Sequence, residues 1–172
     1  MDTVRRPDGE LRLRDVAGHP GAVAVLAVDP ADRVLLVRQP RSATGSGRIL
    51  LEIPAGTLEV GPDGTAEDPA TAARRELEEE TGYRASAWRL LTRFYTAPGF
   101  TDELMHLYLA TSLEPAHDGR LVPDEDESIQ LVPMAWEEAL AAADDGGIAD
   151  AKSLVGLLWL ARMGGPAAAQ GD

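Results

Sequence analysis

The stretch from Pro54 to Tyr83, PAGTLEVGPDGTAEDPATAARRELEEETGY, constrains this chain more than any other. Its second half reads as a helix by local rules: Asp68 suits the amino-terminal cap, Pro69 the first helical position and Gly82 a left-handed exit. At roughly 100° per residue, Glu76, Glu79 and Glu80 fall within an arc of about 100°. Ala70, Ala73 and Leu77 make the adjoining apolar side, which can pack on a sheet. Three carboxylates so close raise one another's pKa, which stability alone does not favour. A solvated acidic helix face is the plain alternative. A divalent cation gives the crowding a use, because oxygen-only ligands suit Mg²⁺ or Mn²⁺. Arg75, one turn before Glu79, can hold that carboxylate in place.

With 172 residues and 44% apolar content, the chain can bury a substantial core as one domain. The net charge of −13, with 16 basic residues, argues against the phosphate-neutralising surface that nucleic acids require. Zero cysteines exclude disulfides and thiolate zinc sites, and are compatible with a cytoplasmic home. Arg5-Arg6 is followed by polar residues rather than an apolar segment, so an unexported protein is expected. The apolar runs Ala22 to Val28 and Leu154 to Ala161 fall well short of the ~20 residues that cross a bilayer.

In chain order, residues 1–20 form an arm with a Pro-Asp-Gly turn and a short strand near Leu11 and Leu13. Ala22 to Val28 reads as a buried strand closed by the turn Asp29-Pro30-Ala31-Asp32, and Val34 to Arg38 as the returning strand. Gln39 to Arg48 has loop composition, and Ile49 to Ile53 leads into Pro54-Ala55-Gly56. After the helix, Trp88 to Tyr95 and Leu104 to Ala110 are expected as paired strands, and Leu113 to Asp126 as a loop. Ile129 to Ala135 is a last strand, edge or bulged because of Pro133. Helices follow at Trp136 to Ala143 and Lys152 to Arg162, the latter capped by Asp150. The expected domain covers residues 21–163, with a frayed tail over 164–172. Strands and helices in this order describe an α+β or layered α/β/α domain.

Arg75-Glu76-Leu77-Glu78-Glu79-Glu80-Thr81-Gly82-Tyr83, with Glu67 eight positions before Arg75 and Gly61 six before Glu67, resembles the box of the Nudix hydrolases, G-x5-E-x7-R-E-U-x-E-E-x-G-U with U apolar. Further segments resemble ADP-ribose pyrophosphatases within that family: Val37-Arg38-Gln39-Pro40-Arg41, Leu51 to Gly56, Ala97 to Glu103 and Asp124 to Ile129. Pro98 also lies sixteen positions after Gly82, as in that subfamily. One departure is visible. The family's box glycine is usually that of Pro-Ala-Gly, here Gly56, and the first glutamate follows it more closely than Glu67 does, so residues 62–66 look like a loop insertion.

The resemblance implies a Nudix fold, an α/β/α sandwich with a mixed sheet between helices, and hydrolysis of ADP-ribose to AMP and ribose 5-phosphate with two or more Mg²⁺ or Mn²⁺ ions. It implies Glu76, Glu80 and the carbonyl of Ala55 as metal ligands, Glu79 as a ligand of a second ion and a catalytic carboxylate, Glu125 as the general base, and Glu127 as a further metal-linked group. Arg41 is expected to contact phosphate, Gly99 the terminal ribose, and Glu103 the substrate. It further implies a homodimer. Family members commonly carry an additional strand segment before the equivalent of Gly21 that completes the adenine pocket across the interface, and a second departure is that this chain has only residues 1–20 there. Another nucleoside diphosphate sugar such as GDP-mannose would suit the same metal centre. A non-catalytic ligand sensor on the same scaffold is the alternative from a different class, disfavoured because Glu76, Glu79 and Glu80 are all present. His19, His106 and His117 are scattered and lack metal-ligand spacing.

Overall fold

A computed structural model describes residues 2–45, 47–116, 121 and 128–169. Along the chain lie β1 (Asp2–Arg5), β2 (Leu11–Arg14), β3 (Ala22–Ala27), β4 (Arg33–Arg41), β5 (Arg48–Glu52), β6 (Ala55–Thr57), α1 (Pro69–Thr81), β7 (Tyr83–Tyr95), β8 (Leu104–Pro115), β9 (Gln130–Ala135), α2 (Trp136–Asp144), α3 (Ala151–Met163) and α4 (Pro166–Ala169). The small apolar run after Gly21 becomes the centre of the molecule. Every residue of β3 is buried, because β6 pairs with it antiparallel on one side and β8 parallel on the other. A strand covered on both faces needs apolar residues at every position, not alternate ones.

Alternation sends those residues to two layers. Ala22, Ala24 and Leu26 join Leu157 and Leu160 of α3, whereas Val23, Val25 and Ala27 join Ala72, Ala73 and Leu77 of α1. The expected α/β/α layering is therefore present, built on a mixed sheet in the order β6-β3-β8-β7. The remaining strands of the domain make an antiparallel sheet, β5-β4-β9. The chain changes sheet at the turn after β3, where the Asp29 carboxylate accepts the Ala31 and Arg33 amides at 2.9 Å each. After the single bridge between Val28 and Val34, β3 and β4 separate.

Pro40 and Pro133 each sit where a missing N–H is tolerated. Pro133 lies on β9, an edge strand as anticipated. Pro40 extends β4 beyond the expected end at Arg38, and there β4 pairs with β5 alone, since its pairing with β9 stops at Arg38. Two other strands are longer than anticipated. Tyr83 to Ala87 and Thr111 to Pro115 pair with each other, with Leu113 buried and Tyr83 and Ala85 packed against the α1 side of the core. Arg84, Ser86, Ser112 and Glu114 between them are exposed, which gives these ends a loop-like composition. Within the tail expected to fray over 164–172, Pro166–Ala169 form α4, with Pro166 and Ala169 buried, and residues 170–172 lie outside the described residues.

One buried contact links the fold to the site. The Ile53 N–H, just before the Pro54-Ala55-Gly56 turn, donates to Ser153 Oγ at 2.8 Å. This ties the start of α3 to the end of β5. None of the helices of the described residues is long and apolar enough to cross a membrane.

Candidate active site

Local chemistry shapes α1 as the sequence anticipates. The Asp68 carboxylate accepts the Thr71 N–H at 3.0 Å, Pro69 begins the helix, and Gly82 ends it at φ 73°, a left-handed exit that glycine adopts without strain. Its acidic edge meets the Pro54-Ala55-Gly56 turn. Glu80 Oε2 accepts the Ala55 N–H at 3.0 Å, and the Glu76 carboxylate lies so close to Gly56 that a Cβ there would stand 1.8 Å from Glu76 Oε1. Glu76 and Glu80 are both buried, at 9% and 6% exposure.

Arg75 holds the remaining acids together. Its guanidinium donates to Glu76 at 2.8 Å, to Glu79 at 2.9 Å and to Glu67 at 3.0 Å, with Glu59 at 3.8 Å. Burial alone would pull the guanidinium down, but Glu67, Glu76 and Glu79 together hold it above its ordinary value, so it stays charged. The inserted loop closes on itself: Gly61 N–H donates to the Thr65 carbonyl at 2.9 Å, and Glu67 N–H to the Glu59 carbonyl at 2.7 Å. The chain thus re-enters at Glu67 as though residues 60–66 were a side branch. Glu67 serves as an anchor for Arg75.

A cleft of about 310 Å³ opens beside β6, lined in part by Arg41, Ala55, Gly56, Thr96, Glu103 and Lys152. It unites three of the residues singled out by sequence, Arg41, Ala55 and Glu103, from separate parts of the chain. Arg41 forks onto Glu52, with Nε 3.0 Å from Oε1 and Nη2 2.7 Å from Oε2. Lys152 also donates to Glu52, and its Nζ lies 2.9 Å from Asp150 Oδ1. Burial pushes the Glu52 carboxyl up, but Arg41 and Lys152 outweigh it and leave the group below its ordinary range. Glu103 accepts from the Thr96 hydroxyl and stands 3.8 Å from His19 Nε2.

Gly99 is not among the residues lining this cleft. It lies in the loop between β7 and β8, next to Pro98 and Phe100, which line a separate apolar depression. Glu125 and Glu127 lie outside the described residues. Lys152 was absent from the sequence-derived site, though a signal existed: it is the only lysine in the chain. Asp150 was identified only as a helix cap, which it is, accepting the Ser153 N–H at 3.3 Å. Glu52 was visible only as part of a resembling segment.

Among the described residues, no three His, Cys, Asp or Glu side chains converge in a geometry that could hold a metal ion. The donor set nevertheless fits a hard divalent cation. Mg²⁺ is usually held by one or two carboxylates, with water and substrate phosphate oxygens completing an all-oxygen shell. Glu76 and Glu80, one turn apart and buried against the Pro54-Ala55-Gly56 turn, are that kind of partial shell. The close fit of Glu76 against Gly56 is a cradle that any larger residue would fill.

Residues 18–154 match the NUDIX domain model, and the chain belongs to the Nudix family. Within it, the chain is 40% identical over 160 residues to an ADP-ribose pyrophosphatase of Bacillus subtilis (strain 168), covering 93% of this chain and 82% of the relative. It is 35% identical over 159 residues to a GDP-mannose pyrophosphatase of Cronobacter sakazakii (strain ATCC BAA-894), covering 87% and 79%. A solved structure described as an ADP compounds hydrolase has the same fold, with TM-score 0.75 at 23% identity over 93% of this chain and 82% of that one.

Proposed function

We propose that this chain is a metal-dependent hydrolase that cleaves the diphosphate of ADP-ribose to AMP and ribose 5-phosphate. The observation that carries the reading is the meeting of two unlike groups at one turn. The buried carboxylates of Glu76 and Glu80 abut Ala55 and Gly56, and the same turn lines a cleft carrying Arg41 and Lys152. A linked pair of phosphates needs both: oxygen donors for cations and N–H donors for its own oxygens.

Divalent ions, Mg²⁺ in our reading and two or more in number, supply charge neutralisation and an acidified water when bound. Glu76, Glu80 and the Ala55 carbonyl would hold them, with Glu79 and Glu127 as further ligands. Arg75 keeps Glu76 and Glu79 turned to one side and neutralises part of their charge. Arg41 orients the diphosphate, and Glu103 contacts the sugar side of the substrate. Glu125 takes the proton of the attacking water as its oxygen bonds to phosphorus and the bridging P–O bond breaks. The 40% identity to an ADP-ribose pyrophosphatase supports adenine as the base.

The GDP-mannose pyrophosphatase relative supports a second reading with the same chemistry and a different nucleotide. Side-by-side turnover decides between them. ADP-ribose should give the higher kcat/KM, with AMP as product, activity lost on chelation and restored by Mg²⁺. Equal or faster turnover of GDP-mannose would transfer the assignment, and binding of ADP-ribose without release of AMP would make the chain a sensor.

We further propose a homodimer built through the amino-terminal arm. β1 and β2 form a hairpin exposed along its whole length, and it carries Val4, Leu11 and Leu13 at 46%, 54% and 62% exposure. A two-stranded hairpin with bare apolar side chains is marginal alone in water. Light scattering should give twice the chain mass, and a monomer at micromolar concentration would remove the proposal.

A further inference from the structure

Glu52 has no place in the chemistry above, yet it is 1% exposed and charged. Its position is set from three directions. The backbone of β5 pairs Glu52 with Val37, the next residue's N–H is tied to Ser153 of α3, and two cations close on its carboxylate from different elements. Burying a carboxylate is costly unless it is paired and fully hydrogen-bonded. Both cations line the cleft, whereas Glu52 stands behind them.

Counting donors shows what the arrangement leaves available. Arg41 has five N–H donors, and Glu52 takes two of them, leaving three. Lys152 has three, and Glu52 and Asp150 take one each, leaving one. Without a fixed anion behind them, the two cations would repel each other and swing toward water on their long stems. With it, and among the described residues, four donors are left on two side chains that line the cleft.

We propose that Glu52 is a positioning residue for substrate binding, a buried counter-ion that sets Arg41 and Lys152 side by side as the receptor for the substrate's diphosphate. The inference rests on the functional reading above, but on the diphosphate and not on the identity of the base. It concerns how tightly the ligand is held, so binding and not turnover is its primary readout.

The experiment measures the Kd of ADP by calorimetry in the presence of a chelator, where no hydrolysis occurs, for wild type, E52Q and R41M/K152M. Glu52→Gln should weaken ADP binding between ten- and hundredfold. In the R41M/K152M background the same change should add less than about twofold, because Glu52 acts only through those two side chains. With metal, E52Q should raise KM far more than it lowers kcat, and E52D, which keeps the charge, should recover most of the affinity. E52D also serves as the test protein if E52Q is not recovered folded, with a smaller loss that again disappears in R41M/K152M. A folded E52Q that binds ADP within twofold of wild type overturns the proposal, as does an additive triple variant. Failure of wild type to hydrolyse ADP-ribose would instead count against the functional reading and leave the affinity ratios to decide this one.

Discussion

Glu80→Gln should reduce kcat/KM for ADP-ribose by about a thousandfold while the folded domain keeps its stability. Glu80 is 6% exposed, and one of its oxygens accepts the Ala55 N–H at 3.0 Å. A glutamine has the same shape, and its carbonyl oxygen can still accept that bond, so neither packing nor the turn is disturbed. What disappears is a full negative charge beside the turn whose Ala55 and Gly56 line the cleft. The charge stabilisation that a bound divalent ion supplies is worth several kcal/mol, and roughly 4 kcal/mol corresponds to about three orders of magnitude in rate. The measurement is AMP release across a Mg²⁺ titration, with thermal melts of both proteins in chelator. Near-normal turnover at saturating Mg²⁺ would show that Glu80 is no ligand, and a large drop in Tm would show that its role is structural.

The acidic edge was legible in the sequence because helix α1 is governed by short-range rules. A capping aspartate, a proline at the first position, an exit glycine and an apolar stripe all lie within one segment, and each acts on neighbours a few residues away. The cleft beside the Pro54-Ala55-Gly56 turn obeys no such rule. Arg41 arrives at the end of β4, Thr96 just past β7, Glu103 from the following loop and Lys152 from the first turn of α3. What brings them together is the parallel pairing of β3 with β8 and the bond from Ile53 to Ser153 across 100 residues of chain. Periodicity carries no trace of such contacts, so Arg41 and Glu103 were reached only through resemblance, and Lys152 and Glu52 were not reached at all. The paired ends of β7 and β8 were less visible for a different reason: only Leu113, Tyr83 and Ala85 turn toward the core there, and between them exposed polar residues such as Arg84 and Glu114, which stand opposite each other, look like loop. The spacing marks residues 62–66 as a loop that looks inserted, whereas the return of Glu67 onto Arg75 required the hairpin geometry.

Replacing Gly56 by alanine separates the site from the fold even more sharply. A Cβ at this position would stand 1.8 Å from Glu76 Oε1 and 2.0 Å from its Cδ, far inside contact distance. The backbone is not the obstacle, because Gly56 does not have the positive φ found at Gly82 and several other glycines of the chain. It lies within β6, opposite Val23 of the central strand, where alanine is acceptable. The atoms that must yield are the far end of a glutamate side chain, which can rotate by giving up its 2.8 Å ion pair with Arg75. They are also the atoms proposed to hold the metal. The expected result is therefore a protein whose Tm changes by no more than a few degrees and whose kcat/KM falls by about a hundredfold or more, on the scale of a 1 Å misplacement at a catalytic centre. If displacement of Glu76 is the whole cause, then Glu76→Gln and the Gly56→Ala/Glu76→Gln double variant should have similar activity, a non-additivity that independent sites do not produce. Wild-type turnover in Gly56→Ala would mean that the Glu76 carboxylate can serve from elsewhere, and the contact between helix and turn would then have no part in the reaction.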